Sequence, residues 1–240
     1  MIGFFRRIRK KLADDNQFLK YSRYAVGEIV LVMIGILLAL QVNNWNSNRI
    51  EKKAETKTLF ELKKGIIIDG NLLQNNLEAV DAQLVKMKLL KQLLKNKDYP
   101  YNKGLDSLFG SVFGIQPINL NKAFYEDLKA SSLKLIKNDS IRLKIVNLFE
   151  DDYVFFDNNF QTEIHINEVI RPYYLQNFSD LDFQNSATPN NFNKVWADTY
   201  YENIVHYRII NLESNHINAY QKTIPKIESL VDAIDKYLAK

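Results

Sequence analysis

With 240 residues, 46% of them apolar and 25% charged, the chain has material for one folded core plus an appendage. Eight Gly and five Pro argue against a loop-rich β-sandwich, and the lack of Cys excludes thiol catalysis, disulfide scaffolds and Cys-containing zinc sites. The formal net charge of +4 is an N-terminal feature: seven basic and two acidic residues precede Tyr24, and 25 basic and 26 acidic follow, so the body of the chain has no electrostatic footprint for nucleic acid.

Residues 1–23 read as a basic amphipathic, cytoplasmic segment. Phe5, Ile8 and Leu12 recur at helical spacing with Phe4 beside them, while Arg6, Arg7, Arg9, Lys10 and Lys11 fill the other faces. Such a segment either lies on an anionic leaflet or serves only as a topology signal. Residues 24–42 are predicted to be a transmembrane helix. Ile29 to Leu40 contains no polar side chain, and about 19 residues give about 28 Å of helix against a bilayer core of about 30 Å. Glu28 and Gln41 fall near the ends, within reach of headgroups, and Tyr21, Tyr24 and Trp45 flank the segment as aromatic belts do. Ala39-Leu40-Gln41 lacks the small residues that signal cleavage needs, so a retained signal anchor is expected.

Arg49, Lys52, Lys53 and Lys57 follow the span, fewer than the seven basic residues before it. The bias predicts a cytoplasmic N-terminus and a periplasmic domain over residues 43–240, held at the inner (plasma) membrane. Glu28 and Gly35-x-x-x-Ala39 each have two readings. A carboxylate at membrane depth and small residues four apart mark functional or helix-packing sites, or they are an interfacial acid and two incidental small residues.

Beyond the span the pattern is helical. Leu59, Ile66, Leu73, Val80, Met87 and Leu94 recur every seventh residue, with Leu62, Leu77, Leu84 and Leu90 between them. This predicts a helix from Trp45 to about Lys97 that ends before Tyr99-Pro100; Asp69, Asn76 and Gln83 interrupt its seam. An apolar Gly-containing stretch, Leu105 to Ile115, precedes a helix over about Asn121–Ser131. A third long helix is expected to start at Asn138 or Asp139, both good caps, and to stop near Arg171-Pro172. Ser179 to Asn193 is rich in Asn, Ser, Asp and Pro and reads as a loop, and no hairpin signal appears. The last helix carries Ile210, Ile217, Tyr220, Ile224, Ile227, Val231, Ile234 and Leu238, with Pro225 expected to kink or restart it and Thr223 as a possible cap. The expected fold is all-α: one N-terminal transmembrane helix followed by an elongated antiparallel bundle of three to four long helices.

A search for chemistry assigns no catalytic, cofactor-binding or metal-ligating residue. His165-x-x-Glu168 has the spacing of one half of a di-metal site, but such sites need the motif twice, and His206 and His216 have no matching Glu downstream. Glu150-Asp151-Asp152 reads as a solvated helix face. Gly110-x-x-x-Gly114 is not a phosphate loop and is expected to allow close helix packing. Fourteen Phe and thirteen Tyr, clustered at Tyr153 to Phe156, Tyr173-Tyr174 and Tyr200-Tyr201, serve a core or a binding surface, with core as the default.

Three blocks near the N-terminus, Phe4-Phe5-Arg6-Arg7-Ile8-Arg9, Tyr24-Ala25-Val26-Gly27-Glu28-Ile29 and Ile34 to Asn46, resemble the signature of a family of uncharacterised single-span membrane proteins common in Bacteroidota, especially flavobacteria. Ala123-Phe124-Tyr125-Glu126-Asp127-Leu128-Lys129-Ala130-Ser131-Ser132 and Leu135 to Arg142 are similar to its second block, except that Leu133 stands where the family usually has Gly. The resemblance implies the same topology and helicity and no mechanism; it also puts Glu28 and Asn43-Asn44-Trp45 inside a signature. The expected function is that of a membrane-anchored, non-enzymatic helical-bundle protein mediating protein–protein interaction or assembly in the cell envelope. Its partners would be the inner membrane bilayer and an envelope protein or a second copy, with no cofactor and no nucleic acid. The alternative is a periplasmic small-ligand sensing domain that signals through a partner protein.

Overall fold

The computed structural model describes residue 7 and residues 18–114, 118–131 and 133–239. The amphipathic reading of residues 1–23 therefore lies largely outside the described residues, as do Ile115 and Ser132. The described chain is overwhelmingly helical: α1 (Phe18–Leu93), α2 (Leu105–Val112), α3 (Ala123–Ser131), α4 (Asp139–Asn147), α5 (Tyr153–Asn177), α6 (Phe192–Ala197), α7 (Thr199–Asn211) and α8 (Asn218–Leu238). A 3₁₀ turn at Leu133–Leu135 and π-helical segments at Leu148–Asp152 and Leu212–Ile217 complete the helical part. One two-stranded antiparallel sheet, β1 (Phe178–Asp182) and β2 (Ser186–Pro189), lies between α5 and α6.

The chain divides into two units, residues 1–55 and 56–240. In the first, every residue from Val26 to Ala54 is exposed. Its apolar stretch, with Leu31 73% and Val42 65% exposed, lies in the one helix among the described residues that is long and apolar enough to cross a membrane. At Gly35 an added Cβ would meet open space, so the small residue there serves no contact within this unit.

In the second unit the heptad positions of α1 form its core face. Leu59, Leu62, Ile66, Leu73, Val80, Leu84, Met87, Leu90 and Leu94 are all buried, while Leu77 is half-buried. Antiparallel contacts run along this helix: Lys63 pairs with Asp235, a Cβ at Gly70 would lie 3.0 Å from Ile227, and Lys88 pairs with Glu213. The partner numbers fall as those of α1 rise. The polar residues on its seam have defined uses. Asp69 Oδ2 accepts from the Tyr153 hydroxyl at 2.8 Å and Oδ1 from the Asn121 N–H at 3.0 Å, tying α1 to α5 and to the start of α3. Gln83 donates to the Ser111 carbonyl at 2.5 Å and so holds α2. Burial pushes the Asp69 carboxyl above its usual range, although both hydrogen bonds oppose that. Tyr153→Phe, which leaves Asp69 without its hydroxyl donor, is expected to cost about 1–3 kcal/mol. The loss should show as a lower urea midpoint with an unchanged slope.

Helix ends follow the sequence where a cap is present. Asn138 caps α4 by accepting from the Ile141 N–H at 3.1 Å, as expected for that residue. Several expectations are corrected. α1 ends at Leu93 instead of Lys97. The helix expected from Asn138 to Arg171 is interrupted by the first π segment and then runs through Pro172 to Asn177. α8 likewise continues through Pro225, and Thr223 is buried in it instead of capping a restart. Both prolines and the residues four positions before them, Glu168 and Gln221, face outward, so the carbonyls that lose a partner are open to water. Ile210 is 47% exposed and does not belong to the seam.

The stretch expected to be a loop, Ser179 to Asn193, holds nearly all of the hairpin and the start of α6. Phe178 pairs with Pro189 and Ser179 with Thr188; an irregularity follows before Asp182 pairs with Ser186. Asp180 and Gln184 take positive φ values of 47° and 67° to make the bend and the turn. β2 packs on α2, where Gly110 lets the Ser186 backbone approach so closely that a Cβ would overlap it. The glycine thus serves a helix–strand contact, in place of the helix–helix contact expected for it. Gly114 adopts φ +131°, a conformation that needs glycine.

A buried ionic centre as candidate functional site

The most concentrated polar chemistry in the domain lies inside it, where α5, α7, the second π segment and the chain after α2 meet. Glu163 comes from α5, Arg208 and Asn211 from α7, and His216 from the π segment. In an α-helix the five residues from Asn211 to His216 would turn a side chain about 140° round the axis. The wider i→i+5 turn returns His216 towards the face that carries Arg208 and Asn211.

One carboxylate oxygen holds the centre together. Glu163 Oε1 accepts from Arg208 Nη1 at 2.5 Å, from Asn211 Nδ2 at 2.6 Å and from His216 Nε2 at 3.1 Å. An ionised carboxylate only accepts, so His216 carries a proton on Nε2. Arg208 Nη2 also donates to the Gly114 carbonyl at 2.9 Å, joining the end of α2 to the centre. Asn159, one turn before Glu163, donates to the Asn215 carbonyl in the π segment at 3.0 Å, and Asn215 donates to Asn211 Oδ1 at 2.6 Å. The side chains of Glu163, Arg208 and His216 are no more than 1% exposed.

Burial alone raises the Glu163 carboxyl, but the hydrogen bonds from His216 and Arg208 and the guanidinium charge outweigh it and hold the group at about 2. A depressed carboxylate contributes stability that is fully present above its unfolded value of 4.5 and is lost as pH falls towards 2. Acid unfolding in that window is therefore expected to flatten in Glu163→Gln, measured by circular dichroism from pH 5 to pH 2, each compared with its own value at pH 7.

Glu163 Oε2, Arg208 Nε, His216 Nδ1 and the Tyr220 hydroxyl have no hydrogen-bond partner among the described residues. Burial raises the Tyr220 hydroxyl and the Glu163 charge raises it further, which places the phenol within electrostatic reach of the centre. The arrangement can pin three helical segments to one oxygen and present further donors and acceptors in a sealed interior. An acid–base pair so closed to solvent does not meet a substrate at the protein surface.

Of the side chains considered as candidates from the sequence, His216 lies at the centre and the others are placed elsewhere. His165 and Glu168 form an exposed pair on α5, 3.4 Å apart and 77% and 69% exposed. Among the described residues no three His, Asp or Glu side chains gather as a metal site. His206 is exposed, whereas His216 is at the centre. The acidic run is only partly a solvated face: Asp151 is exposed, but Glu150 accepts from the Tyr125 hydroxyl and from Lys129, each at 2.7 Å, and Asp152 pairs with Lys226 at 2.6 Å. Of the aromatic clusters, Tyr153, Phe156, Tyr174 and Tyr201 are core, and Phe155 and Tyr200 are exposed. Tyr174 donates to the Phe109 carbonyl at 2.7 Å and meets the Tyr201 hydroxyl at 3.0 Å. Comparison with protein-family models, with curated proteins and with solved structures finds no match to this chain.

Proposed function

We propose that the protein is a membrane-anchored, non-enzymatic helical-bundle protein that mediates protein–protein interaction or assembly in the cell envelope. The observation that carries this reading is the exposed apolar stretch of α1, which leads in one helix into a domain with its own core. On this reading residues 24–42 span the inner membrane, residues 1–23 stay in the cytoplasm by the excess of basic residues, and residues 43–240 form an elongated antiparallel bundle in the periplasm. The resemblance to single-span proteins of Bacteroidota supports the same topology. The buried centre suits a protein whose domain must keep one arrangement, because the hydrogen bonds to Glu163 Oε1 and the Gly114 carbonyl form only when α5, α7 and the end of α2 dock together.

Purification of the tagged protein from its membranes in mild detergent, with mass determination of what elutes, tests the proposal. A stoichiometric second protein or a defined self-oligomer is expected. A monomer that turns over envelope substrates would replace the reading with an enzymatic one.

A second reading, a periplasmic domain that senses a small ligand and signals through a partner, is favoured by the four unpartnered polar atoms around Glu163. Native mass spectrometry of the purified chain tests it: a retained small molecule lost in Tyr220→Phe supports sensing, and an unliganded mass opposes it.

A further inference from the structure

At the C-terminal end of α1, the loop that follows it and the start of α6 enclose an open recess of about 530 Å³. Its chemistry differs from that of the buried centre. Three aromatic side chains line it, Tyr99, Tyr101 and Phe192: Tyr101 packs against Phe192 with ring centroids 5.3 Å apart, and Phe192 and Tyr99 rest on the buried Trp196 at 4.9 Å and 5.7 Å. The rim is polar, with Asp98, Asn191 and Asn193 all exposed.

The free hydrogen-bonding capacity of that rim is specific. Asn191 Oδ1 is taken by the Lys194 N–H at 3.1 Å as the cap of α6, which leaves its Nδ2 to donate. Asp98 and Asn193 line the recess, are exposed and make no side-chain hydrogen bond among the described residues, so a carboxylate and a complete amide are available at its rim. Lys97, the cation at its edge, is drawn to Glu202 at 3.2 Å. The recess therefore offers two acceptors and two donor groups on planar side chains beside three aromatic residues, with Lys97 paired to Glu202 at its edge.

The frame is built before any ligand arrives. Trp196 Nε1 donates to the Asn96 carbonyl at 2.9 Å, the Tyr99 N–H to the same carbonyl at 3.2 Å, and the Asn190 N–H to the Asn177 carbonyl at 2.9 Å. Tyr101 is fixed by its hydroxyl, which donates to Asp106 at 2.9 Å. Groups held in this way lose little conformational freedom on binding.

We propose that this recess binds a neutral saccharide. A sugar ring has an apolar face that lies on aromatic rings and a rim of hydroxyls that both donate and accept, matching planar amide and carboxylate side chains two atoms at a time. An anionic sugar or a free phosphate meets the Asp98 carboxylate and would have to draw Lys97 away from Glu202 to offset it. An extended proline-rich peptide would use the rings but leave most of the rim unpaired, which costs affinity. The site does not depend on which side of the membrane the domain occupies, so its failure and that of the proposed topology are separable.

The test uses the full chain in a polyoxyethylene detergent, because maltoside headgroups are themselves saccharides. Of the two tryptophans, Trp45 and Trp196, the first is removed by Trp45→Phe, so that emission reports Trp196, the ring on which Tyr99 and Phe192 of the lining pack. Maltotriose, cellotriose and N-acetylchitotriose are titrated, with a polyproline peptide and inorganic phosphate in parallel. At least one trisaccharide is expected to give a saturable change in the millimolar range or tighter. Asp98→Ala and Asn193→Ala, both at exposed side chains, should each weaken it about five- to tenfold. No response to any of the three sugars, an undiminished response in both Asp98→Ala and Asn193→Ala, or a response to the peptide or phosphate alone would overturn the proposal.

Discussion

Arg208→Met is expected to destabilise the folded domain by about 3–5 kcal/mol, the cost of leaving a buried carboxylate without its charged partner. The effect is large because the Glu163 side chain is sealed from water and the two donors that remain, Asn211 and His216, do not replace a guanidinium that also holds the Gly114 carbonyl. Removing both charges is a different matter. Glu163→Met with Arg208→Met exchanges the ion pair for apolar volume, so the double variant should be less destabilised than Arg208→Met alone. Chemical denaturation of the full chain in detergent, followed by far-UV circular dichroism, measures Arg208→Met, Glu163→Met and the double variant. Additive losses would show that the two side chains do not act as a pair.

Gly110→Ala is the second large effect, at about 3 kcal/mol or more. The added methyl would overlap the backbone of Asn185 and Ser186, which cannot turn aside as the end of a flexible side chain can. The strand must move instead, and the hairpin with it. Hydrogen exchange should therefore rise across Phe178–Pro189 before it rises in α1. Gly65→Ala provides the contrast. Its Cβ would find only Asn121 Nδ2, at 3.7 Å, which is ordinary contact. Replacing a helical glycine by alanine there should stabilise by about 0.5–1 kcal/mol. The two variants carry the same chemical change and are expected to differ in sign.

The helical part of the fold was legible because its signal is local. The heptad rhythm of α1 needs only one face packed against something, and the buried positions fall where that rhythm puts them, from Leu59 to Leu94. Asn138 was readable as a cap for the same reason. The hairpin was not, since its turn uses Gln184 at positive φ in place of an Asn-Gly or Asp-Gly pair. The π segments were also hidden. A search at 3.6 residues per turn carries one register across them, which is how exposed Ile210 was assigned to a seam that runs instead through Ile209, Leu212, His216 and Tyr220.

The candidate centre escaped for a related reason. Glu163 precedes its three partners by 45 to 53 residues along the chain, whereas ligand pairs on one helix face stand three or four residues apart. That search found His165 and Glu168, a surface pair. A usable signal was present: Arg208, Asn211 and His216 are polar residues on a face otherwise built from Val205, Ile209, Leu212 and Tyr220. A buried arginine at a core step requires an acid somewhere in the fold.

The most direct test of a membrane-anchored domain outside the cytoplasm uses the absence of cysteine from the chain. Lys95→Cys, an exposed position just after α1, places a single thiol in the domain. In spheroplasts it should react with a membrane-impermeant maleimide without lysis, and the labelled protein should stay with the membranes through a carbonate wash. Labelling that requires detergent would place the domain in the cytoplasm, and release by carbonate would remove the anchor; either result would contradict the account.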